Sequence, residues 1–369
     1  MTDGETREEV KEQTKVSGIR EVMKEVRYVA YLYQPFNETE SKNYRNPRFS
    51  EHQNERIRRL YRDICPQFSS YKFPILPVID GVVKPCSYSE LENITNFETI
   101  LTTPSGRLFR GTITEGSEER PVIVKTWDFL LPEERNYPSL PSQFCDEIEL
   151  YETVNGHPHL AKVSRYCCER RLAVVYDEEF TTVLSDVLRD DNFGWDKRIN
   201  VATQFAELLV WLHEKKIAVG GFSSSSIMID KKEKIKVFDF GCISHGVNED
   251  SGILINEVVG RHAPETLRDG VWTLKCDVCV FGLLLVDLFD DVDDSVSDTI
   301  LNKTTLVHKC FEEVDDQTVS NISNLTLSCL GYPSERPTMK MVLDNLLKLR
   351  MQERVRGKRK RDENELRME

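Results

Sequence analysis

The rhythm of apolar and polar positions changes along the chain. Near the start, apolar residues recur three or four apart between Ile19 and Ala30, which predicts a helix with one apolar face. A second stripe from Ile57 to Ile64 predicts another helix, ended by Pro66. Short strand-like runs then dominate residues 95–180, and helical stripes follow. The pattern predicts an α+β chain with a small β-rich lobe, a helical lobe and an N-terminal helical extension.

These patterns and the charge runs divide the chain into four predicted segments. They are a disordered segment (1–15), a helical extension and linker (16–86), a main domain (87–350) and a disordered, charged and basic tail (351–369). The apolar stripe at Ile19 either packs on the β-rich lobe or offers a second docking surface.

Composition narrows the class of protein. The chain has 369 residues, 39% of them hydrophobic, and a net charge of −13, which fits a soluble protein and argues against nucleic-acid binding. No apolar run approaches the length of a membrane span. The polar, acidic start Met1–Glu5 is not a secretory signal, so the ten cysteines are expected to be reduced thiols in the cytoplasm.

Three further local patterns, one of cysteines, one acidic and one basic, need to be interpreted. The Cys276-x-x-Cys279 spacing lies in an apolar run, which favours a core helix over a zinc site. The acidic stretch from Asp287 to Asp298 is predicted to be a solvated loop. The basic run from Arg354 to Arg361 is compatible with a nuclear-import signal, a patch for anionic membranes or a solubilising tail.

The segment from Trp211 to Gly241 contains the most informative pattern. Its apolar positions match those around the catalytic loop H-R-D-x-K-x-x-N and the D-F-G sequence of protein kinases, and Asp239-Phe240-Gly241 is intact. The loop residues are replaced: Val219 stands at the His, Gly220 at the Arg, Gly221 at the Asp, Ser223 at the Lys and Ser226 at the Asn. The chain therefore resembles a protein kinase without its catalytic loop, a pseudokinase.

Wording elsewhere in the chain resembles plant receptor-like cytoplasmic kinases. The helix sequence W-D-x-R-I-x-V-A occupies Trp195–Ala202, and the segment Ser87–Phe97 is similar to the opening sequence of that family. Arg336-Pro337-Thr338-Met339 matches a motif near the end of its kinase domain. The resemblance covers residues 87–350. It implies a bilobal protein-kinase-like fold, with a β-rich N-lobe over residues 87–178 and a helical C-lobe over residues 179–350.

The nucleotide-binding positions are partly degraded. In the glycine-rich loop frame, Leu101 and Thr103 replace two glycines, Gly106 survives, and Pro104 removes an amide donor. By resemblance, Lys125 would reach the phosphates and pair with Glu147, or alternatively with Glu149, and Tyr176 would stand behind the nucleotide. Asp239 would hold Mg²⁺. We expect no required cofactor and weak or absent binding of ATP and Mg²⁺.

Residues that hold the kinase fold are retained. By resemblance, Glu265 of the A-P-E sequence pairs with Arg336, and Asp277 bonds the backbone of the catalytic loop. In the segment before A-P-E, Val258 replaces the Thr that engages the catalytic loop in active relatives. The sequence thus keeps structural positions and loses chemical ones, which favours a folded scaffold.

The resemblance implies a role as well as a fold. An inactive subgroup of receptor-like cytoplasmic kinases serves as adaptors or decoys in plant immune signalling, with coiled-coil NLR immune receptors and active receptor-like cytoplasmic kinases as partners. A cytoplasmic location follows, with recruitment to the plasma membrane through partners, and the basic tail leaves the nucleus open. Two alternatives are an atypical, weakly active serine/threonine kinase and a regulator that binds ATP without turnover.

Overall fold

The computed structural model describes ten stretches of the chain, which are 83–103, 106–127, 140–154, 156–167, 172–240, 242–248, 253–254, 261–290, 306 and 308–352. The predicted N-terminal helices lie outside the described residues, as do the basic run, Pro104 and Val258. Among the described residues, no helix combines the length and apolar character that a membrane span requires.

The chain separates into two compact units. The small unit comprises Met1–Gly156 and Ala161–Phe180, and the large unit comprises His157–Leu160 and Thr181–Glu369. The short segment His157–Leu160 belongs to the large unit because its backbone bonds strand residues there: the Val237 amide donates to the His159 carbonyl over 2.8 Å. The predicted α+β, bilobal kinase-like fold, with a β-sheet N-lobe and a helical C-lobe, is confirmed.

The small unit is built on a six-stranded sheet with the order β1-β5-β6-β4-β3-β2. Its strands are β1 (Lys84–Pro85), β2 (Thr99–Thr103), β3 (Gly106–Glu115), β4 (Glu118–Trp127), β5 (Val163–Cys167) and β6 (Leu172–Tyr176). Its described helices are α1 (Tyr88–Ile94) and α2 (Leu140–Thr153). Strand β6 is buried along its whole length, as its run of apolar side chains predicts.

Helix α1 begins at a reciprocal cap, in which Ser87 accepts from the Glu90 amide and Glu90 accepts from the Ser87 amide. Its buried side chains, Leu91 and Ile94, join the apolar core against β3 and β4. The sequence placed residues 84–86 in a linker, and this was wrong. Strand β1 pairs with β5, and the Cys86 amide extends this pairing by donating to the Tyr166 carbonyl of β5 over 2.8 Å.

The large unit is mostly helical. Its described α-helices are α3 (Leu184–Val187), α4 (Trp195–Glu214), α5 (Pro264–Asp269), α6 (Leu274–Phe289), α7 (Asp316–Leu330) and α8 (339–352). Its strands are β7 (Thr182–Val183), β8 (Ile217–Gly220), β9 (Ile227–Ile229), β10 (Ile235–Val237), β11 (Cys242–His245), β12 (Ile253–Leu254) and β13 (Val271–Trp272). Helix α8 extends to residue 352, two residues past the predicted end of the domain.

Buried helices α4 and α6 form the centre of the large unit. The guanidinium of Arg198 on α4 donates to the carbonyls of Phe193, Leu288 and Leu188 over 2.6–2.7 Å, so one buried cation ties three chain segments together. Cys276 and Cys279 lie buried within α6, as expected for a core helix.

The prediction of a solvated acidic loop that begins at Asp287 was wrong at its first residues. Asp287 lies inside α6 and accepts two hydrogen bonds from Arg261, over 2.7 and 2.8 Å. The apolar run of α6 extends past Asp287 to Phe289, so burial of that run carries the helix beyond the first acidic residue.

Candidate functional site

A sealed polar cluster lies in the small unit. The Lys125 ammonium is 2.8 Å from Glu147 Oε2, and the Tyr176 hydroxyl donates to Glu147 Oε1. The ammonium also lies 4.0 Å from the centroid of the Trp127 ring. Lys125, Glu147 and Tyr176 have no exposed side-chain surface, so protein groups surround this charge.

Strand pairing and one helix fix the positions of this cluster. On β4, Lys125 pairs with Leu108 of β3 and Val174 of β6. Tyr176 of β6 pairs with Ile123, two positions along β4, so the side chains of Lys125 and Tyr176 lie on the same face of the sheet. Helix α2 carries Glu147 between the buried side chains of Phe144 and Ile148. The Phe144 ring meets the Trp127 ring edge to face at 5.3 Å, which anchors α2 on β4. Of the two predicted partners, Lys125 bonds Glu147.

The glycine-rich loop frame forms the hairpin between β2 and β3. Leu101 pairs with Leu108, and Thr103 pairs with Gly106 at the last position. The Thr103 hydroxyl donates to the Gly106 carbonyl over 3.4 Å. A Cβ added at Gly106 would stand 1.9 Å from the Thr126 carbonyl oxygen, so this glycine permits close strand packing. Its retention therefore has a structural cause that is independent of nucleotide.

In the large unit, a neighbouring aromatic ring packs against the backbone of the replaced catalytic loop. Val219 and Gly220 end β8, and Gly221 follows with a left-handed φ of 72°. A Cβ at Gly220 would stand 2.0 Å from Trp272 Cζ2 and 2.3 Å from its Cη2. The indole of Trp272 thus packs directly on the backbone at the position where active kinases carry Arg.

Three of the four serines from Ser223 to Ser226 bond to one another or to the backbone. The Ser223 and Ser225 hydroxyls are 2.8 Å apart, and the buried Ser226 hydroxyl donates to the Asp239 carbonyl over 3.3 Å. Asp239 is buried with a φ of 57°. Among the described residues, no group of three His, Cys, Asp or Glu side chains could hold a metal ion. The short hydroxyl of Ser226, directed at a carbonyl, does not fit a second magnesium site.

Asp277 organises the backbone around the replaced loop. Its Oδ2 accepts from the Val219 amide over 2.8 Å and lies 2.9 Å from His213 Nε2, while its Oδ1 accepts from Trp272 Nε1 over 2.6 Å. Burial raises the pKa of Asp277 above its ordinary value, and its hydrogen-bond partners oppose that rise. The carboxylate therefore holds β8, α4 and Trp272 in one arrangement.

The pair between Glu265 and Arg336 holds the start of α5. Arg336 contacts Glu265 through two nitrogens, one of them 3.0 Å from Oε2, and its Nε donates to the Gly331 carbonyl over 2.8 Å. Burial alone would raise the pKa of Glu265, but hydrogen bonds and charge from Arg336 outweigh it and hold the pKa below its ordinary value. This is the pairing expected from the sequence.

Sequence reasoning missed three side chains of these sites: Trp127, Trp272 and Arg261. Trp127 could have been inferred, because it lies two positions after Lys125 on the same face of a strand. Glycine at the position of an arginine was a signal that some bulky group fills the space, but it did not identify Trp272, which is remote in sequence. The pairing of Arg261 with Asp287 has no local signal.

Comparison with known proteins defines the class. The profile of the protein tyrosine and serine/threonine kinase family matches residues 95–346. The chain belongs to this family. The matched region includes the sealed lysine, the replaced catalytic loop and the Glu265–Arg336 pair described above.

Several similar proteins come from plants. The chain is 29% identical over 218 residues to an EPD1-interacting receptor-like cytoplasmic serine/threonine-protein kinase of Nicotiana benthamiana, covering 52% of this chain and 47% of that protein. It is 26% identical to the probable serine/threonine-protein kinase CST of Arabidopsis thaliana, covering 52% of each. It is 34% identical to the serine/threonine-protein kinase PBL13 of Arabidopsis thaliana, over 36% of this chain and 28% of that protein. The chain spans about half or less of the length of these curated relatives.

Proposed function

We propose that the protein is a catalytically inactive receptor-like cytoplasmic kinase that acts as a protein-binding adaptor or decoy in plant immune signalling. The observation that carries this proposal is the replaced catalytic loop. Gly221 has no side chain to accept a proton, Ser223 provides no cation, and Ser226 is a buried hydroxyl bonded to a carbonyl.

Phosphoryl transfer depends on the positioning and neutralisation of charge, so these losses remove its main contributors. Loss of a general base alone typically costs about 10²–10⁴ in rate. Restoring the loop by substitution is also obstructed, because the indole of Trp272 lies 2.0 Å from the Cβ that an arginine at position 220 would carry. The packing thus supports an inactive state that is built into the fold.

The side chains that stabilise the fold support a binding role. Asp277, Glu265 and Arg336 keep their bonds although the neighbouring chemistry is gone. A maintained fold without a reaction leaves surface recognition as its use. The plant relatives and the sequence resemblance together favour a coiled-coil NLR immune receptor and an active receptor-like cytoplasmic kinase as partners, and a cytoplasmic location with recruitment to the plasma membrane through them.

Inactivity is tested by phosphoryl transfer to itself and to generic protein substrates, with purified protein and radiolabelled ATP. We expect no transfer above that of a matched Asp239→Ala variant. Transfer by the parent protein that disappears in Asp239→Ala would refute the proposal and support the atypical-kinase alternative.

The adaptor role is tested by co-purification with defined partners from plant tissue. The full chain and a variant lacking residues 1–75 are each expressed with a tagged coiled-coil NLR receptor and an active receptor-like cytoplasmic kinase. We expect at least the full chain to retain both. If neither form retains either partner, the adaptor role is wrong, and if only the full chain does, residues 1–75 carry the contact.

A second candidate function is an ATP-binding regulator without turnover. It is favoured by the retained Lys125–Glu147 pair and by Asp239 in a left-handed conformation. A ligand at a hundredfold excess over its Kd stabilises by about 2.7 kcal/mol, which raises the melting temperature. We expect little change at millimolar ATP and Mg²⁺, because the Lys125 ammonium is enclosed. A clear rise that is lost in Asp239→Ala would establish the regulator instead.

A further inference from the structure

Two buried thiols face each other at the edge of the sheet in the small unit. Strand β1 runs parallel to β5, with Pro85 opposite Tyr166. The next residues along the two strands, Cys86 and Cys167, are therefore opposite each other, and the Cys86 amide continues the ladder by its bond to the Tyr166 carbonyl. Both cysteines are reduced, and their thiols are hydrogen-bonded to each other. The fold thus brings together two cysteines that lie about 80 positions apart in the sequence.

The geometry of neighbouring strands suits a disulfide between these residues. Adjacent strands lie about 4.8 Å apart, and disulfides join residues whose Cα atoms are roughly 4.4–6.8 Å apart. Opposite positions of a parallel pair direct their side chains to the same face of the sheet, and both cysteines belong to one apolar cluster with Leu91 and Ile94 of α1. Joining the two sulfurs therefore requires little movement of the backbone.

The thiol pair lies beside a weakly held segment. Strand β1 is only two residues long, so few backbone hydrogen bonds keep it on the sheet. Helix α1 is capped by Ser87, the residue directly after Cys86, and its Leu91 and Ile94 side chains pack into the same cluster as the thiols. Short edge segments open locally at a much lower free-energy cost than the whole fold. A covalent bond between residues 86 and 167 would oppose this opening.

Opening of β1 also controls the reactivity of Cys86. Cys86 is 7% exposed and Cys167 only 1%. The hydrogen bond with Cys167 and burial raise the pKa of Cys86 above its ordinary value, so the reactive thiolate is scarce while the strand is paired. When β1 opens, Cys86 reaches water, whereas Cys167 is still held in the sheet by the pairing of β5 with β6. Cys86 is therefore the thiol that an oxidant meets first.

We propose that Cys86 and Cys167 form an oxidisable latch, a disulfide that locks β1 and the start of α1 onto the sheet. The oxidant is a peroxide. The Cys86 thiolate attacks one oxygen of hydrogen peroxide and the O–O bond breaks, which leaves a sulfenic acid on Cys86 and a hydroxide that takes up a proton to become water.

Reclosure of β1 completes the reaction. It brings the Cys167 thiol against the sulfenic sulfur, the S–S bond forms, and the S–O bond breaks as the thiol proton leaves with the oxygen in a second water. Two thiols lose two electrons, and one peroxide gains them. Disulfides of cytosolic proteins are usually transient and redox-sensing, so such a latch is compatible with a reducing compartment. The latch goes beyond the proposed function and does not depend on it.

The first test maps the bond. The full chain is treated with hydrogen peroxide, the remaining thiols are blocked with iodoacetamide, and the tryptic peptides are analysed by mass spectrometry. We expect the peptide that contains Cys86 to be linked to Tyr166–Arg170, with the loss of two hydrogens, and dithiothreitol to separate them. That short peptide also contains Cys168, so Cys168→Ser is the matched control and should keep the link, whereas Cys167→Ala should abolish it. Absence of a linked peptide, or a link lost in Cys168→Ser, would overturn the proposal.

The second test asks whether the bond acts as a latch. Hydrogen exchange at the amides of Cys86 and Leu91, which bond Tyr166 and Ser87 in the closed arrangement, should become at least about tenfold slower after oxidation and recover with dithiothreitol. Cys86→Ala, a substitution at the more exposed position of the pair, should show no such slowing after the same treatment, so the result does not depend on Cys167→Ala alone. A disulfide that forms without slowing exchange at these amides would refute the latch.

Discussion

Two buried carboxylate–cation pairs, one in each unit, differ in their access to solvent. In the small unit, neither the Lys125 nor the Glu147 side chain has exposed surface, and Tyr176 saturates the second carboxylate oxygen. In the large unit, the Glu265 side chain keeps 14% of its surface exposed while Arg336 is almost fully covered. The first pair is isolated from water, and the second reaches it at one edge.

This difference shows which charges the fold itself requires. Both pairs connect elements distant in sequence, and removal of one partner leaves a buried charge without compensation. The replaced catalytic loop lies between α4 and α6 in the same large unit, and there the charges of active kinases have given way to glycine, hydroxyls and an indole. The paired charges that connect distant elements persist, as does Asp239, whereas the charged positions of the catalytic loop have been replaced.

Breaking the sealed pair should have the largest effect. Lys125→Met leaves the Glu147 carboxylate buried without its cation and should lower the free energy of unfolding of the small unit by about 4 kcal/mol. Hydrogen exchange at the amides of β4 and β6 reports this unit directly.

The double variant Lys125→Met/Glu147→Gln is the matched comparison. A neutral glutamine still accepts from the Tyr176 hydroxyl, so the double variant should be more stable than the single one by about 2 kcal/mol. A double variant no more stable than Lys125→Met would show that the charge of Glu147 is not the cause.

Adding a side chain at Gly220 in the catalytic loop should have the next largest effect on stability. Gly220→Ala places a Cβ against the Trp272 ring, which is itself fully buried, and should destabilise the large unit by about 3 kcal/mol. Urea unfolding followed by hydrogen exchange at β8 measures it.

Gly246→Ala is the control for backbone strain. Gly246 has a φ of 73° and no atom within 4 Å of an added Cβ, so alanine there should cost about 1 kcal/mol. Equal costs at positions 220 and 246 would mean that Trp272 moves aside freely, and the obstruction argued for the catalytic loop would be wrong.

Breaking the partly open pair should have a smaller effect. Arg336→Met leaves Glu265 close to water, so the free energy of unfolding of the large unit should fall by about 2 kcal/mol, roughly half the effect of Lys125→Met. Lys340→Met, an exposed substitution of similar size four residues away, should change it by less than about 0.5 kcal/mol. A larger loss for Arg336→Met than for Lys125→Met would reverse the comparison between the two pairs.

The sequence predicted most of the fold and the positions of the retained charges. Apolar periodicity identified α4 and α6, and the kinase-like frame aligned Lys125, Asp277 and Arg336 with partners that the structure pairs with them. These positions could be predicted from the sequence because each lies at a fixed offset from a recognisable apolar run. The roles in nucleotide and metal binding assigned to Leu101, Thr103, Gly106 and Asp239 stay predictions.

Other features depend on contacts that no local pattern encodes. Strand β1 is only two residues long, and its pairing with β5 spans about 80 positions of sequence, so residues 84–86 looked like linker. Trp272 packs on Gly220, although the two residues are more than 50 positions apart in the sequence. Asp287 lies inside α6 because the apolar run of that helix continues past it. Tertiary burial decided each case over local propensity.

Acid titration should give the smallest of these effects, and it tests the Glu265–Arg336 pair alone. Hydrogen bonds and charge from Arg336 outweigh burial and hold the pKa of Glu265 below its ordinary value. A carboxylate with a depressed folded pKa stabilises the fold fully above its unfolded pKa, near 4.5, and loses that contribution as the pH falls through the folded pKa. Because solvent screens this partly exposed pair, the contribution should be about 1 kcal/mol. Urea unfolding of the large unit between pH 6 and pH 3 should therefore show a steeper acid loss in the parent than in Glu265→Gln. Identical pH slopes for the two proteins would show that Glu265 is not the titrating group.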